Sequence, residues 1–176
     1  MQILAISGSL RAGASNTVLL QAAALLAPPG IHIEMYGELG ALPHFNPDLD
    51  APGSSLIPPV VADLRTRVGR ADGVLISCPE YAHGIPGSFK NLLDWLVASV
   101  EFPDKPVALL NTSPMSVHAP AQLVEVLKTM NARLIPDASV TISIGRRRDA
   151  AAVVADPDLS AQIRVAIEAF ARAIGT

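Results

Sequence analysis

The sequence has 176 residues, of which 50% are hydrophobic and 16% charged, with a formal net charge of −3. This length and apolar content predict one folded domain over residues 1–176 and exclude a disordered chain. The mild charge excludes an electrostatic footprint for nucleic acid, and no apolar run is long enough to span a membrane. The start of the chain lacks the basic region of a signal peptide, and the one cysteine, Cys78, suits a cytoplasmic location.

The first informative segment is a polar loop between a short apolar run, 3–6, and an alanine-rich run, 18–27. The first run predicts a buried strand and the second a helix. The loop between them reads Ser7-Gly8-Ser9-Leu10-Arg11-Ala12-Gly13-Ala14-Ser15-Asn16-Thr17. Glycines let the backbone approach an anion, and a helix start offers unpaired N–H groups, so the loop predicts a phosphate site. Asn16 or Thr17 is expected to cap the helix.

Two well-known phosphate loops do not match this segment. Gly8, Gly13 and Ser15 have the spacing of a triphosphatase P-loop, but Ala14 stands where that loop has its lysine. The G-x-G-x-x-G pattern of dinucleotide sites is also absent. The segment therefore favours a terminal phosphate, as on a mononucleotide, and a plain polar loop is the alternative.

Strand patterns alternate with helix patterns along the whole chain. The predicted strands cover residues 2–6, 31–35, 73–78, 107–111 and 139–144. Helical periodicity places three groups of side chains on common faces: Val61, Leu64 and Val68; Phe89, Leu92, Leu93, Leu96 and Val100; and Leu159, Ile163, Ala166, Ile167 and Phe170. This alternation predicts an α/β fold, a flavodoxin-like three-layer sandwich with a five-stranded parallel sheet in the order 2-1-3-4-5. Ligands of such folds bind beyond the carboxyl ends of strands 1 and 3.

Three further features carry weaker predictions. The segment 37–59 is long and rich in Pro, Gly, Asp and Ser, and it is expected to lie near the ligand edge. Cys78 is interpreted as a small buried residue rather than a reactive thiol. The basic run 146–148 is interpreted mainly as a solvated loop, with attraction of an anionic ligand as the minority alternative.

The second informative segment follows the third predicted strand. It reads Pro79-Glu80-Tyr81-Ala82-His83-Gly84-Ile85-Pro86-Gly87-Ser88-Phe89-Lys90-Asn91-Leu92-Leu93-Asp94-Trp95. Its prolines and glycines predict a tight loop, and a helix is expected to begin near Pro86. The backbone of this loop and the ring of Tyr81 could face a flat heteroaromatic ring.

Together the two segments resemble the signatures of the NADPH-dependent FMN reductase family, which includes flavin, quinone, chromate and azo-dye reductases. The family pattern G-S-x-R-x-x-S-x-N is matched at Gly8, Ser9, Arg11 and Asn16, with Ser15 one residue after the usual serine position. The pattern P-E-Y-N-x-S-x-P-G-x-L-K-N-x-x-D-W is matched at Pro79, Glu80, Tyr81, Pro86, Gly87, Lys90, Asn91, Asp94 and Trp95. Ala82 replaces the usual asparagine of that pattern, and Gly84 replaces its serine.

The resemblance implies FMN as cofactor and NADPH or NADH as co-substrate. It implies that hydride passes through flavin N5 by a ping-pong mechanism to a small-molecule acceptor: a quinone, flavin, azo dye or metal oxyanion. The cofactor-binding residues that it implies are Ser9, Arg11, Ser15, Asn16, Thr17, Pro79, Glu80, Tyr81, Ala82, His83, Gly84 and Ser113. No side chain is expected to act as an obligatory acid or base, and no metal site is expected, because no His/Cys/Asp cluster accompanies Glu80 in the sequence.

Several alternatives stay open at the level of the sequence. The chain could be a flavodoxin-like electron carrier without its own NAD(P)H site, or a regulatory nucleotide-binding protein. His83 could line the substrate side of the flavin or only end the loop. Trp95 lies off the apolar stripe of its helix, which favours a subunit interface, and the resemblance implies a homodimer or homotetramer.

Overall fold

Six parallel strands form the central sheet of the computed structural model, which describes residues 1–51 and 56–175. In chain order they are β1 (Gln2–Ser7), β2 (His32–Tyr36), β3 (Gly73–Ser77), β4 (Pro106–Asn111), β5 (Arg133–Leu134) and β6 (Val140–Thr141). Across the sheet the order is β2-β1-β3-β4-β5, and β6 also pairs with β4. The predicted flavodoxin-like order is confirmed.

Helices cover both faces of this sheet. They are α1 (Ser15–Leu26), α2 (Pro59–Arg70), α3 (Gly87–Val97), α4 (His118–Thr129), α5 (Ala150–Val154) and α6 (Pro157–Ile174). Helices α1, α5 and α6 pack on one face and α2, α3 and α4 on the other, so the strands are buried on both sides and read as apolar runs. Ile3 of β1 joins the first core and Leu4 the second, as expected for alternating side chains. Among the described residues, no helix combines the length and hydropathy needed to cross a membrane.

The edge of the sheet beyond β4 differs from the prediction. The fifth predicted strand, 139–144, is wrong in its extent, because only Val140–Thr141 pairs there as β6, while Arg133–Leu134 forms the unpredicted β5. A short 3₁₀ turn, Pro136–Ala138, separates the two pieces. Pro136 cannot donate a ladder hydrogen bond, so the chain leaves the sheet there and rejoins it later.

Residues 43–45 of the long segment 37–59 pack against α3. The N–H of Phe45 donates to Asn91 Oδ1 at 2.7 Å, and the carbonyl of Pro43 accepts from Asn91 Nδ2 at 2.9 Å and from Trp95 Nε1 at 2.8 Å. An ion pair between Asp50 and Arg65 of α2 fixes the segment further along. Its residues 52–55 lie outside the described part of the chain.

Trp95 is buried within its own chain, so the prediction that it lies at a subunit interface is wrong. Its side chain is 0% exposed, and the ring of Phe45 meets it edge-on with centroids 5.1 Å apart. The helical pattern of α3 alone could not show this burial, because it carries no information about Pro43 and Phe45, which pack against this side of α3.

Candidate functional site

An open cavity of about 240 Å³ lies where β1, β3 and β4 end. It is lined by three segments that are remote in sequence, together with one residue from beyond β6: Ser9, Arg11, Ala14, Ser15, Asn16; Pro79, Glu80, Tyr81; Thr112, Ser113, Ser116; and Arg148. Eight of the twelve residues predicted from the sequence therefore meet at one cavity. Thr17 lines an adjoining cavity beside Tyr36, and residues 82–84 form a turn next to the site.

The loop after β1 is fastened to the end of β3. The N–H of Gly8 donates to the carbonyl of Ser77 at 2.8 Å, and the buried Asn16 amide donates to Ser77 Oγ at 2.9 Å. The Thr17 hydroxyl bonds to Ser7 Oγ at 2.8 Å. A Cβ on Gly8 would lie 2.8 Å from the Sγ of Cys78, so this close approach needs glycine.

These bonds correct the predicted helix cap. Helix α1 has Ala14 at its N-cap position, without a side-chain cap, and the side chains of Asn16 and Thr17 are engaged elsewhere. The first N–H groups of a helix have no intrahelical acceptor, so an uncapped start beside a cavity leaves donors for an anion. Arg11 and Arg148 line the same cavity, and neither forms an ion pair with any described residue. This donor set fits a phosphate ester.

Arg148 lines the cavity, although the sequence analysis interpreted the run 146–148 mainly as a solvated loop. Its guanidinium Nη1 lies 3.4 Å from Ser15 Oγ, and its carbonyl oxygen would lie 3.8 Å from a Cβ at Gly13. Arg147 of the same run does not line the cavity and pairs with Asp156 instead. The basic run was the only feature of the sequence that could have indicated this residue. Of its two interpretations, the geometry favours the minority one, contact with an anionic ligand.

The turn after β3 has an unusual backbone. Tyr81 and Gly84 exchange both backbone hydrogen bonds at 3.0 Å, and the two residues between them have positive φ, 50° for Ala82 and 60° for His83. A two-residue turn of this kind favours Asn-Gly, so Ala-His carries backbone strain. Among the described residues, the N–H groups of Ala82 and His83 donate to no protein acceptor. Backbone donors are therefore available at the end of β3.

Glu80 joins this turn to the start of α4. Its Oε2 accepts the N–H of His118 at 2.8 Å and the N–H of Ala119 at 2.9 Å. These bonds hold the pKa of Glu80 below its ordinary value, and the bond from Ala119 has the largest effect. Gln122 provides a second link, because its Oε1 accepts the N–H of Ile85 at 2.8 Å. The sequence did not predict either link, since each joins residues more than 35 positions apart.

Two histidines also lie against Glu80. The rings of His83 and His118 stack with centroids 4.3 Å apart and an interplanar angle of 25°. One ligand atom from each of Glu80, His83 and His118 lies within 4.8 Å of the others. The sequence interpretation that no cluster accompanies Glu80 is therefore wrong, because the fold brings His118 to it from the start of α4.

The second half of the longer signature is structural. Lys90 pairs with Asp94 one turn along α3, and Asn91 and Trp95 hold the segment 37–59. Only the first three residues of the signature, Pro79 to Tyr81, line the cavity. One sequence pattern therefore carries both binding residues and residues that fix a neighbouring loop.

Cys78 is buried at the end of β3, as predicted. Burial raises the pKa of its thiol to about 12. The thiolate is the reactive form of cysteine, so this side chain contributes packing beside Gly8 rather than nucleophilic chemistry.

Comparison with known proteins agrees with this geometry. The family model of NADPH-dependent FMN reductases matches residues 1–146. An NAD(P)H-dependent FMN reductase of Pseudomonas aeruginosa is 39% identical over 64% of this chain, and a quinone reductase of Escherichia coli is 32% identical over 66%. These alignments cover 60% and 62% of the relatives, so the chain spans about three fifths of their length.

A solved structure extends the likeness to nearly the whole chain. The flavoenzyme NAD(P)H:(acceptor) oxidoreductase of Paracoccus denitrificans superposes with a TM-score of 0.82 at 27% identity, covering 99% of this chain and 97% of that one. The family match and this superposition include the loop after β1 and the turn after β3, and the chain belongs to the NADPH-dependent FMN reductase family.

Proposed function

We propose that this protein is an oxidoreductase that binds one FMN and uses NAD(P)H to reduce a small-molecule acceptor. The observation that carries the proposal is the anion site at the end of β1. There an uncapped helix start lines one cavity together with Arg11 and Arg148, neither of which pairs with a carboxylate of the described residues. Membership in the family supports FMN as the phosphate-bearing ligand.

The residues of the cavity divide into two groups. Around the start of α1, Ser9, Ser15 and the two arginines hold the phosphate by charge-assisted and hydroxyl hydrogen bonds. At the end of β3, the backbone and the 54% exposed Tyr81 flank the ring. When bound, FMN supplies an N5 atom that accepts hydride from the nicotinamide and passes reducing equivalents on.

The second substrate is proposed to be a quinone, a free flavin, an azo dye or a metal oxyanion. The support is the name quinone reductase carried by relatives that are 32% identical to this chain. NAD(P)H and acceptor would occupy the same open cavity in turn, because a ping-pong enzyme needs only one substrate position beside the flavin. No protein acid or base is assigned a step in this cycle.

We further propose a homodimer or homotetramer. Four large apolar side chains around the cavity are exposed, and exposed apolar patches often mark association surfaces: Leu10 62%, Tyr81 54%, Met115 84% and Val117 59%. Light scattering at micromolar concentration tests this proposal, and a monomer there would contradict it.

Steady-state NADPH oxidation at several quinone concentrations tests the proposed reaction. Parallel double-reciprocal lines are expected, whereas intersecting lines would show that both substrates bind together. A protein that binds FMN but does not oxidise NADPH would instead be an electron carrier. Arg146→Ala is a matched control for variants of Arg11 and Arg148, because Arg146 is exposed and does not line the cavity.

A further inference from the structure

A second group of donors lies next to the cavity, and the proposed FMN reaction does not use its side chains. It consists of Glu80 and His83 from the turn after β3 and of His118, the first residue of α4. One ligand atom from each lies within 4.8 Å of the other two. The other histidines of the chain, His32 and His44, belong to no such group among the described residues.

Hydrogen bonds hold the Glu80 side chain and the turn after β3 in this arrangement. Glu80 Oε2 is held by two backbone N–H groups at the start of α4, and no described donor bonds to its Oε1. The imidazoles of His83 and His118 lie face to face, 4.3 Å between centroids. The bond between Gln122 and Ile85 also holds the turn and the helix together. One carboxylate oxygen and two ring nitrogens therefore converge from two elements.

We propose that Glu80, His83 and His118 bind a divalent transition-metal ion, with water in the remaining positions. Two imidazoles and one carboxylate are typical ligands of Zn²⁺, whereas Mg²⁺ and Ca²⁺ prefer oxygen ligands alone. Tetrahedral zinc with bonds of about 2.1 Å needs ligand atoms roughly 3.4 Å apart, so the group must close by about 1.4 Å at most. Both histidines are exposed and can rotate to close this gap.

The bound ion would fasten the turn after β3 to α4. Glu80 already joins these elements through hydrogen bonds, and the ion would add His83 to the same link. The turn contains the strained residues Ala82 and His83, whose positive φ values the link would help to maintain. The metal site is thus a clamp beside the cavity, and it does not depend on the proposed FMN reaction.

Calorimetric titration of Zn²⁺ into the full-length, untagged protein tests the proposal. One ion per chain is expected, with binding weakened at least tenfold in both His83→Ala and His118→Ala. His32→Ala and His44→Ala are matched controls that should bind as the unaltered protein does. Absence of saturable binding, or an equal loss in the controls, would overturn the proposal.

A second measurement needs no variant. The chain has four histidines, so the imidazole proton signals can be followed individually by NMR during Zn²⁺ addition. Two of the four should shift together up to one equivalent and then stop. Shifts of all four in parallel would show nonspecific binding and contradict the site. FMN titration of the same samples reports on the proposed function separately, because the phosphate donors at the start of α1 are not metal ligands.

Discussion

The guanidinium of Arg148 lies 3.4 Å from the hydroxyl of Ser15, across 133 residues of sequence. The contact brings the segment after β6 to the first turn of α1, where the family signature has its serine one position earlier. Arg148 also lies beyond the last residue matched by the family model, 146. The cavity that we propose as the phosphate site is therefore lined in part by a residue outside the segment that the family model matches.

Arg148→Ala and Arg11→Ala should each weaken FMN binding. Loss of one hydrogen bond to a charged group costs about 1.5–3 kcal/mol, which is roughly 10- to 150-fold in the dissociation constant. Fluorescence titration with FMN measures the effect, and Arg146→Ala is the control. If Arg148→Ala binds FMN as tightly as the control does, Arg148 is a surface residue only.

Trp95→Phe should destabilise the chain without changing its assembly. The variant keeps an aromatic ring against Phe45 but loses the N–H that donates to Pro43, at a net cost of about 0.5–1.5 kcal/mol plus lost packing. Trp95→Ala should cost about 3–5 kcal/mol, because it leaves a cavity in the core. Urea unfolding measures both values. If a variant instead dissociated from an oligomer while its free energy of unfolding stayed unchanged, Trp95 would lie at a subunit interface.

Glu80 should make the protein more stable above pH 4.5 than below it. Its pKa is lowered in the folded chain, so its ionised form contributes stability above the ordinary value of 4.5, and this contribution is lost as the pH falls through the folded pKa. Glu80→Gln keeps an acceptor oxygen for the N–H groups of His118 and Ala119 but cannot ionise. Unfolding measured from pH 7 to pH 3 should show the two proteins converging as the pH falls. A stability difference that is independent of pH would contradict the role of the charge.

Cys78 should resist thiol reagents in the folded protein. Its pKa of about 12 leaves very little thiolate near neutral pH, and burial also blocks access. A colorimetric thiol assay should detect one thiol per chain in urea and almost none under native conditions. Rapid stoichiometric labelling of the native protein would show that the end of β3 opens readily.

Much of the fold follows from sequence pattern, because apolar strands and amphipathic helices alternate with clear period changes. The order of β1 to β4 was predicted on that basis and is confirmed. The sheet edge at residues 133–141 was not predicted correctly, because the two-residue strands on either side of Pro136 are too short to give a strand pattern in the sequence. Trp95 was misplaced because helical periodicity describes one element and not the loop that covers it.

The sequence predicted cavity residues that lie within short segments, but it did not predict the contacts between segments that are distant in the chain. Ser9, Arg11 and Tyr81 lie within short segments whose composition is informative. Arg148 and the link from Glu80 to His118 join residues that only the folded chain brings together. The same limit explains why the sequence pattern gave no sign of a histidine pair beside Glu80.

The role proposed for the cavity at the end of β1 is to bind FMN and present it to NAD(P)H. Its most direct test is the visible spectrum of the protein after FMN loading and gel filtration, followed by NADPH addition without oxygen. One FMN per chain should be retained, and its visible absorbance should be lost when NADPH is added. Failure to retain FMN, or an oxidised spectrum that persists with excess NADPH and NADH, would contradict it.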